Sequence, residues 1–253
     1  MEIALFAASF LFFFLGFPAP ALLLRCALAA SLRFSPRASL ALSGIAGLCG
    51  SLAALAVRGG FFAAPAPARG RLIPASFAGG TLGRALLVMF TARFTGSLPL
   101  LRLQVAPLLM LCLLCLLPQR AAPLTPRAPS PAAFGALCFV CGVVDGFFGA
   151  GGQLLCSGLW PERIVRRRFS SPALPLLLTV CAQGGALLLT AFAGASQVFP
   201  GRMLALLAAG SALGALFAER EKERGPLLTN ASVALKIYLV LTALSGVEQA
   251  VAG

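Results

Sequence analysis

No histidine occurs in this chain, and only 7 of its 253 residues are acidic. Imidazole is the commonest protein metal ligand and the usual general base near neutral pH. Its absence argues against a metal centre or a His-based catalytic set, and neither an enzymatic activity nor a cofactor is expected. Charged residues amount to 11%, against 59% hydrophobic. That is too little polar surface to cover a soluble core of this size.

What the chain does contain is apolar sequence in long runs. Eight stretches are nearly free of charge: 3–24, 38–57, 72–90, 99–117, 132–160, 173–195, 203–218 and 230–247. Most approach or exceed the roughly 18 residues that can cross about 30 Å of hydrocarbon. The chain is therefore expected to be an all-α integral membrane protein, placed in a bacterial cytoplasmic (inner) membrane with the lipid bilayer as its surroundings. The 20 Lys and Arg give a net charge of +13. They fall between the apolar runs, where they set topology and meet lipid headgroups, so no nucleic-acid partner is implied. The FPAPA stretch at 17–21 resembles a signal-peptidase site, but Glu2 and the lack of a basic start argue against a cleaved leader.

The stretch PQRAAPLTPRAPSP at 118–131 cannot continue a helix and divides the chain into residues 1–117 and 132–253, with four apolar segments in each. A shift of 135 residues lays 34–50 over 169–185 and Gly16 over Gly151. A shift of 131 lays Gly70, Arg71, Gly79 and Gly83 over Gly201, Arg202, Gly210 and Gly214. The halves are thus read as repeats. Duplicated bundles are typical of secondary transporters, whose sites form where matching segments are interrupted by Gly or Pro. Here the first segment of each half is expected to be broken or re-entrant: segment one carries Gly16, Pro18 and Pro20, and segment five carries CGVVDGFFGAGGQLL. If both re-enter, each half has three crossings and the halves are inverted. If all eight segments cross, both termini lie outside.

The glycines of segment five follow the pattern Gly142-x3-Gly146-x2-Gly149-x-Gly151-Gly152. No strand precedes them and no Lys-Ser/Thr ends them, so this is not a nucleotide loop. One reading is close helix packing with a kink. The other is backbone exposed to a membrane-depth cavity, with a half-helix N-terminus aimed at an anion. These residues, with GGTLGRALL and AGSALGALF, resemble the sulfite exporter (TauE/SafE) family of permeases, in which a segment of the form G-x3-G-x2-G-x-G-G-G opens each half. Gln153 stands where that pattern has a third consecutive glycine, and of the first-half copy only Gly16 is present. The resemblance implies transport of a small organic or inorganic anion, such as a sulfur oxyanion or sulfonate.

On these grounds Gly16, Gly146, Gly149, Gly151, Gly152, Gln153 and Arg84 are assigned to substrate binding. Arg84 lies deep in its segment, where Ala215 stands in the other half. An intramembrane arginine is a functional candidate unless it snorkels. It could bind the anion or pair with Asp145. Asp145 is read as a proton-coupling carboxylate or, alternatively, as the N-cap of a half-helix beginning near Gly146. Two CxxC pairs, Cys112/Cys115 and Cys138/Cys141, raise a rival reading as a membrane thiol–disulfide electron carrier. Apolar neighbours favour ordinary buried cysteines instead. A non-transporting scaffold is the third alternative. REKERG at 220–225 reads as a solvated loop with helical tendency. The partners expected are a small anionic substrate and lipid, and a homo-oligomer is allowed.

Overall fold

A computed structural model describes residues 2–15, 20–31, 34, 36–59, 66–93, 131–149, 152, 174–192 and 199–222. Within these the chain is helical: α1 (Glu2–Phe14), α2 (Pro20–Ser31), α3 (Pro36–Val57), α4 (Ala66–Arg93), α5 (Pro131–Phe148), α6 (Leu174–Phe192) and α7 (Gly201–Lys222). Segments four and eight, nearly all of the 118–131 linker, Gly16, Gly151, Gln153, Cys112 and Cys115 lie outside the described residues.

Local chemistry explains the boundaries. Pro20, Pro36 and Pro131 open α2, α3 and α5, where a missing N–H costs nothing and the fixed φ suits a helix. Helix α3 closes with Arg58 N–H on Ala54 O and then Gly59 at φ 94°, a left-handed cap that glycine adopts without strain. The carbonyl of Pro200 accepts from Met203 and Leu204, which starts α7.

Segment one is broken, as expected, into two short helices of 13 and 12 residues. In segment five the helix stops at Phe148, at the glycine cluster where an interruption was expected. The first half of REKERG, read as a loop with helical tendency, is helix, because α7 continues through Lys222. Among the described residues, four helices are long and apolar enough to cross a membrane, over Ala38–Val57, Gly70–Arg93, Leu174–Phe192 and Gly201–Arg220. Large apolar side chains such as Met89 and Phe192 face outward from this bundle at 68% and 86% exposure. Such a surface suits lipid far better than water.

Glycines decide which helices meet. A Cβ on Gly79 or Gly83 of α4 would strike the backbone of Phe139 or Val143 in α5, and one on Gly142 or Gly146 would strike Ser76 or Gly80 in return. Only hydrogen at these positions lets the two backbones touch. Gly210 and Gly214 of α7 meet Phe6 and Phe10 of α1 in the same way. In both pairs residue numbers rise together, so α4 runs parallel to α5 and α7 parallel to α1. Helix α4 also packs along α6, where Ser76 Oγ donates to Leu178 O at 2.7 Å, and α7 packs along α3. Helices α3 and α6 cross antiparallel: Gly44 faces Gln183, while Leu55 packs with Leu174 and Leu177. One apolar core joins α1, α2, α3 and α7 around Leu5, Leu24, Leu28, Leu42 and Leu207. A second joins α3, α4, α5 and α6 around Leu55, Phe134, Cys138 and Leu174. The end of α5 reaches α3 at Leu40 and Ser43, where Phe147 packs on a small third cluster of Leu40 and Leu87.

Candidate functional site

Helix α5 ends because Gly149 takes φ 76°, outside the range that other residues adopt easily. A Cβ there would sit 3.0 Å from Leu40 O and 3.2 Å from Ser43 Oγ on α3, so the position is also short of space. Beyond it the chain turns back. Had the helix continued, Gly152 would lie about 10 Å past Asp145 along the axis. Instead its N–H donates to Asp145 Oδ1 at 2.7 Å. A Cβ on Gly152 would stand 2.6 Å from Asp145 Oδ2, so the carboxylate leaves room only for glycine.

Side chains from two other helices hold this reversal. From α2, the buried Arg25 donates through Nη1 to Phe148 O, one of the carbonyls left open at the helix end. From α6, Gln183 Nε2 donates to Gly149 O at 2.8 Å and to Asp145 O at 3.3 Å. Gln183 is fully buried, nine residues from either end of α6. That puts it about 13 Å from each end at 1.5 Å per residue, at the middle of the helix.

Arg84 approaches the same place from α4. It is 5% exposed, and its Nε has no hydrogen-bond partner among the described residues. Its side chain does not snorkel along α4. Its Nη2 lies 3.9 Å from the point where a Gly44 Cβ would be, and Gln183 Oε1 lies 3.2 Å from that same point. Gln183 Oε1 is likewise buried without a partner among the described residues. A buried guanidinium without a counter-charge is strongly unfavourable. Two orphaned groups of opposite hydrogen-bonding character therefore converge beside Gly44, next to the chain reversal.

The assigned residues separate into three groups. Arg84, Gly149, Gly152 and Asp145 gather around the reversal. Gly146 does not join them, since it is taken up in the packing of α5 against α4. Gly16, Gly151 and Gln153 lie outside the described residues. The expected Arg84–Asp145 pair does not form: the ion pair among the described residues is Arg58–Glu219, at 2.7 Å between the turn that closes α3 and helix α7. Nor is Asp145 the N-cap of a half-helix near Gly146, because α5 runs on to Phe148 and the carboxylate caps Gly152 from across the reversal. Cys138 and Cys141 are 1% and 6% exposed, with Cys138 set in the second apolar core. An exchange relay needs thiols that partners can reach. Sequence reading missed Gln183, Gly44 and Arg25. The available signal for Gln183 was a single carboxamide in an otherwise uncharged, apolar run. No protein-family model matches the chain, and neither the curated proteins nor the solved structures yield a significant match.

Proposed function

We propose that the chain is a secondary membrane transporter for a small organic or inorganic anion, working by alternating access around the Gly149 reversal. The observation that carries this reading is Arg84: a cation at mid-helix depth, buried and lacking a counter-charge among the described residues. A bound anion supplies the missing charge, and the backbone reversal beside it is of the kind that membrane proteins keep at substrate sites. The resemblance to the sulfite exporter family points the same way and makes sulfur oxyanions and sulfonates the first substrates to try. No catalytic step and no cofactor enter the proposal.

The helix pairing supports the two-repeat reading, in its inverted form. Under the sequence shifts α1 corresponds to α5, α3 to α6 and α4 to α7. The parallel pair α4–α5 then exchanges with α7–α1, and α4–α6 with α7–α3. The corresponding helices α3 and α6 run antiparallel, as an axis in the membrane plane requires. Asp145, 3% exposed and unpaired with Arg84, remains the proposed proton-coupling group.

The test is flux of labelled sulfite, sulfonates and simple carboxylates in vesicles containing the purified chain. A charge-assisted hydrogen bond is worth about 1.5–3 kcal/mol, so Arg84→Ala is expected to weaken anion uptake about 10–100-fold. Uptake by Arg84→Ala equal to that of the unaltered chain, at equal protein in the vesicles, would remove the reading.

A further inference from the structure

The orientation of the Gln183 carboxamide narrows the ligand. Its Nε2 faces two backbone carbonyls, Gly149 O and Asp145 O. Carbonyls only accept, so turning the amide over would set three oxygens against one another. The amide is thus locked with Oε1 pointing away from the reversal, toward Gly44 and the Arg84 guanidinium. Oε1 can only accept a hydrogen bond, and Arg84 can only donate. Both are buried, at 0% and 5% exposure, and both have atoms without partners among the described residues.

Resting on the anion-transport reading, we infer that the ligand held between Arg84 and Gln183 is a small oxyanion bearing one O–H donor. Its charged oxygens take the Arg84 N–H groups, and its hydroxyl donates to Gln183 Oε1. An anion without a hydroxyl satisfies Arg84 but leaves Oε1 buried and unpaired, facing the ligand's own negative oxygens. Sites built around a fixed polar partner reject ligands lacking the matching group far more strongly than apolar pockets reject a missing methylene. Gly44 is the third element of the site: hydrogen there leaves space between the two groups, which a methyl would enter at 3.2 Å from Oε1.

Two near-isosteric pairs test this at pH 7.5, with calorimetric titration of the purified full chain in detergent. Hydrogencarbonate and nitrate are both planar and singly charged, and only the first has an O–H. Glycolate and propionate, matched in size, differ likewise. The unaltered chain is expected to bind the hydroxyl-bearing member of each pair at least about tenfold tighter. Gln183→Leu is expected to bring each pair within about twofold, Gly44→Ala to weaken hydrogencarbonate and glycolate selectively, and Arg84→Gln to weaken all four anions. Equal affinity of the unaltered chain within both pairs overturns the inference and leaves the anion reading standing. Unchanged affinities in Arg84→Gln overturn the anion reading itself. The comparison within the unaltered chain decides the inference even if Gln183→Leu fails to fold.

Discussion

Asp145 has a structural use in this fold and a proposed one in proton coupling, and a single substitution tells the two apart. Its carboxylate receives the Gly152 N–H, so it joins the two sides of the reversal. Asp145→Ala would leave that N–H without its acceptor, at a cost of about 1–3 kcal/mol. Asp145→Asn keeps an acceptor oxygen and is expected to cost less than about 1 kcal/mol. The measurement is chemical or thermal unfolding of the purified variants in detergent. Asparagine cannot titrate, however. If Asp145 carries the coupled proton, Asp145→Asn loses the dependence of anion flux on an imposed pH gradient while its stability stays near that of the unaltered chain. Gradient dependence that survives in Asp145→Asn leaves the residue as a cap alone.

Helices in this bundle are sorted by their glycines. Gly83 and Gly135 look alike in sequence, each lying in an apolar helix. A Cβ on Gly83 meets the Val143 carbonyl and the Phe147 amide of α5, and backbone cannot step aside as a side-chain tip can. A Cβ on Gly135 has nothing within 4 Å. Gly83→Ala is therefore expected to destabilise by about 1–3 kcal/mol through overpacking. Gly135→Ala is expected to be neutral or to stabilise by up to about 1 kcal/mol, since alanine is the better helix former. Unfolding midpoints of the two variants in one detergent make the comparison. Equal midpoints would contradict the close approach of α4 and α5 and, with it, the placement of Arg84 beside the reversal.

At the scale of the molecule, the direction of each helix separates the inverted arrangement from eight simple crossings. Inversion places the starts of α1 and α5 on opposite membrane faces, whereas eight crossings place them on the same face. Single cysteines at Ile3 and Ala132, introduced into a chain whose own cysteines are replaced by alanine, read this out with an impermeant thiol reagent. The inverted arrangement predicts that Ala132→Cys labels from the same face as Val57→Cys and Arg220→Cys. Ile3→Cys is then expected to label with Arg93→Cys and Arg202→Cys from the other. These positions are exposed at helix ends, so labelling reports sidedness rather than burial. Ile3 and Ala132 labelling from one face would remove the inversion.

Composition and runs of apolar residues alone were enough to indicate helices suited to a membrane, because hydrocarbon forces every backbone group into local hydrogen bonds and so writes each span into contiguous sequence. Helices α3, α6 and α7 match their apolar runs to within about four residues, and α4 to within six, for that reason. The interruption at Gly149 was also legible, since repeated glycines cannot sustain a helix without a reason to be there. The partners of the interruption were not legible. Gln183 lies 34 positions away from Gly149, Arg25 lies 123 from Phe148, and Gly44 lies 40 from Arg84. Whether a glycine lines the reversal, as Gly152 does, or only lets two helices touch, as Gly146 does, depends on what stands opposite it. That Arg84 faces Gln183 instead of Asp145 depends on how α3, α4 and α6 are packed. Spacing along one helix fixes the face a residue occupies, but only the tertiary structure brings another helix to that face.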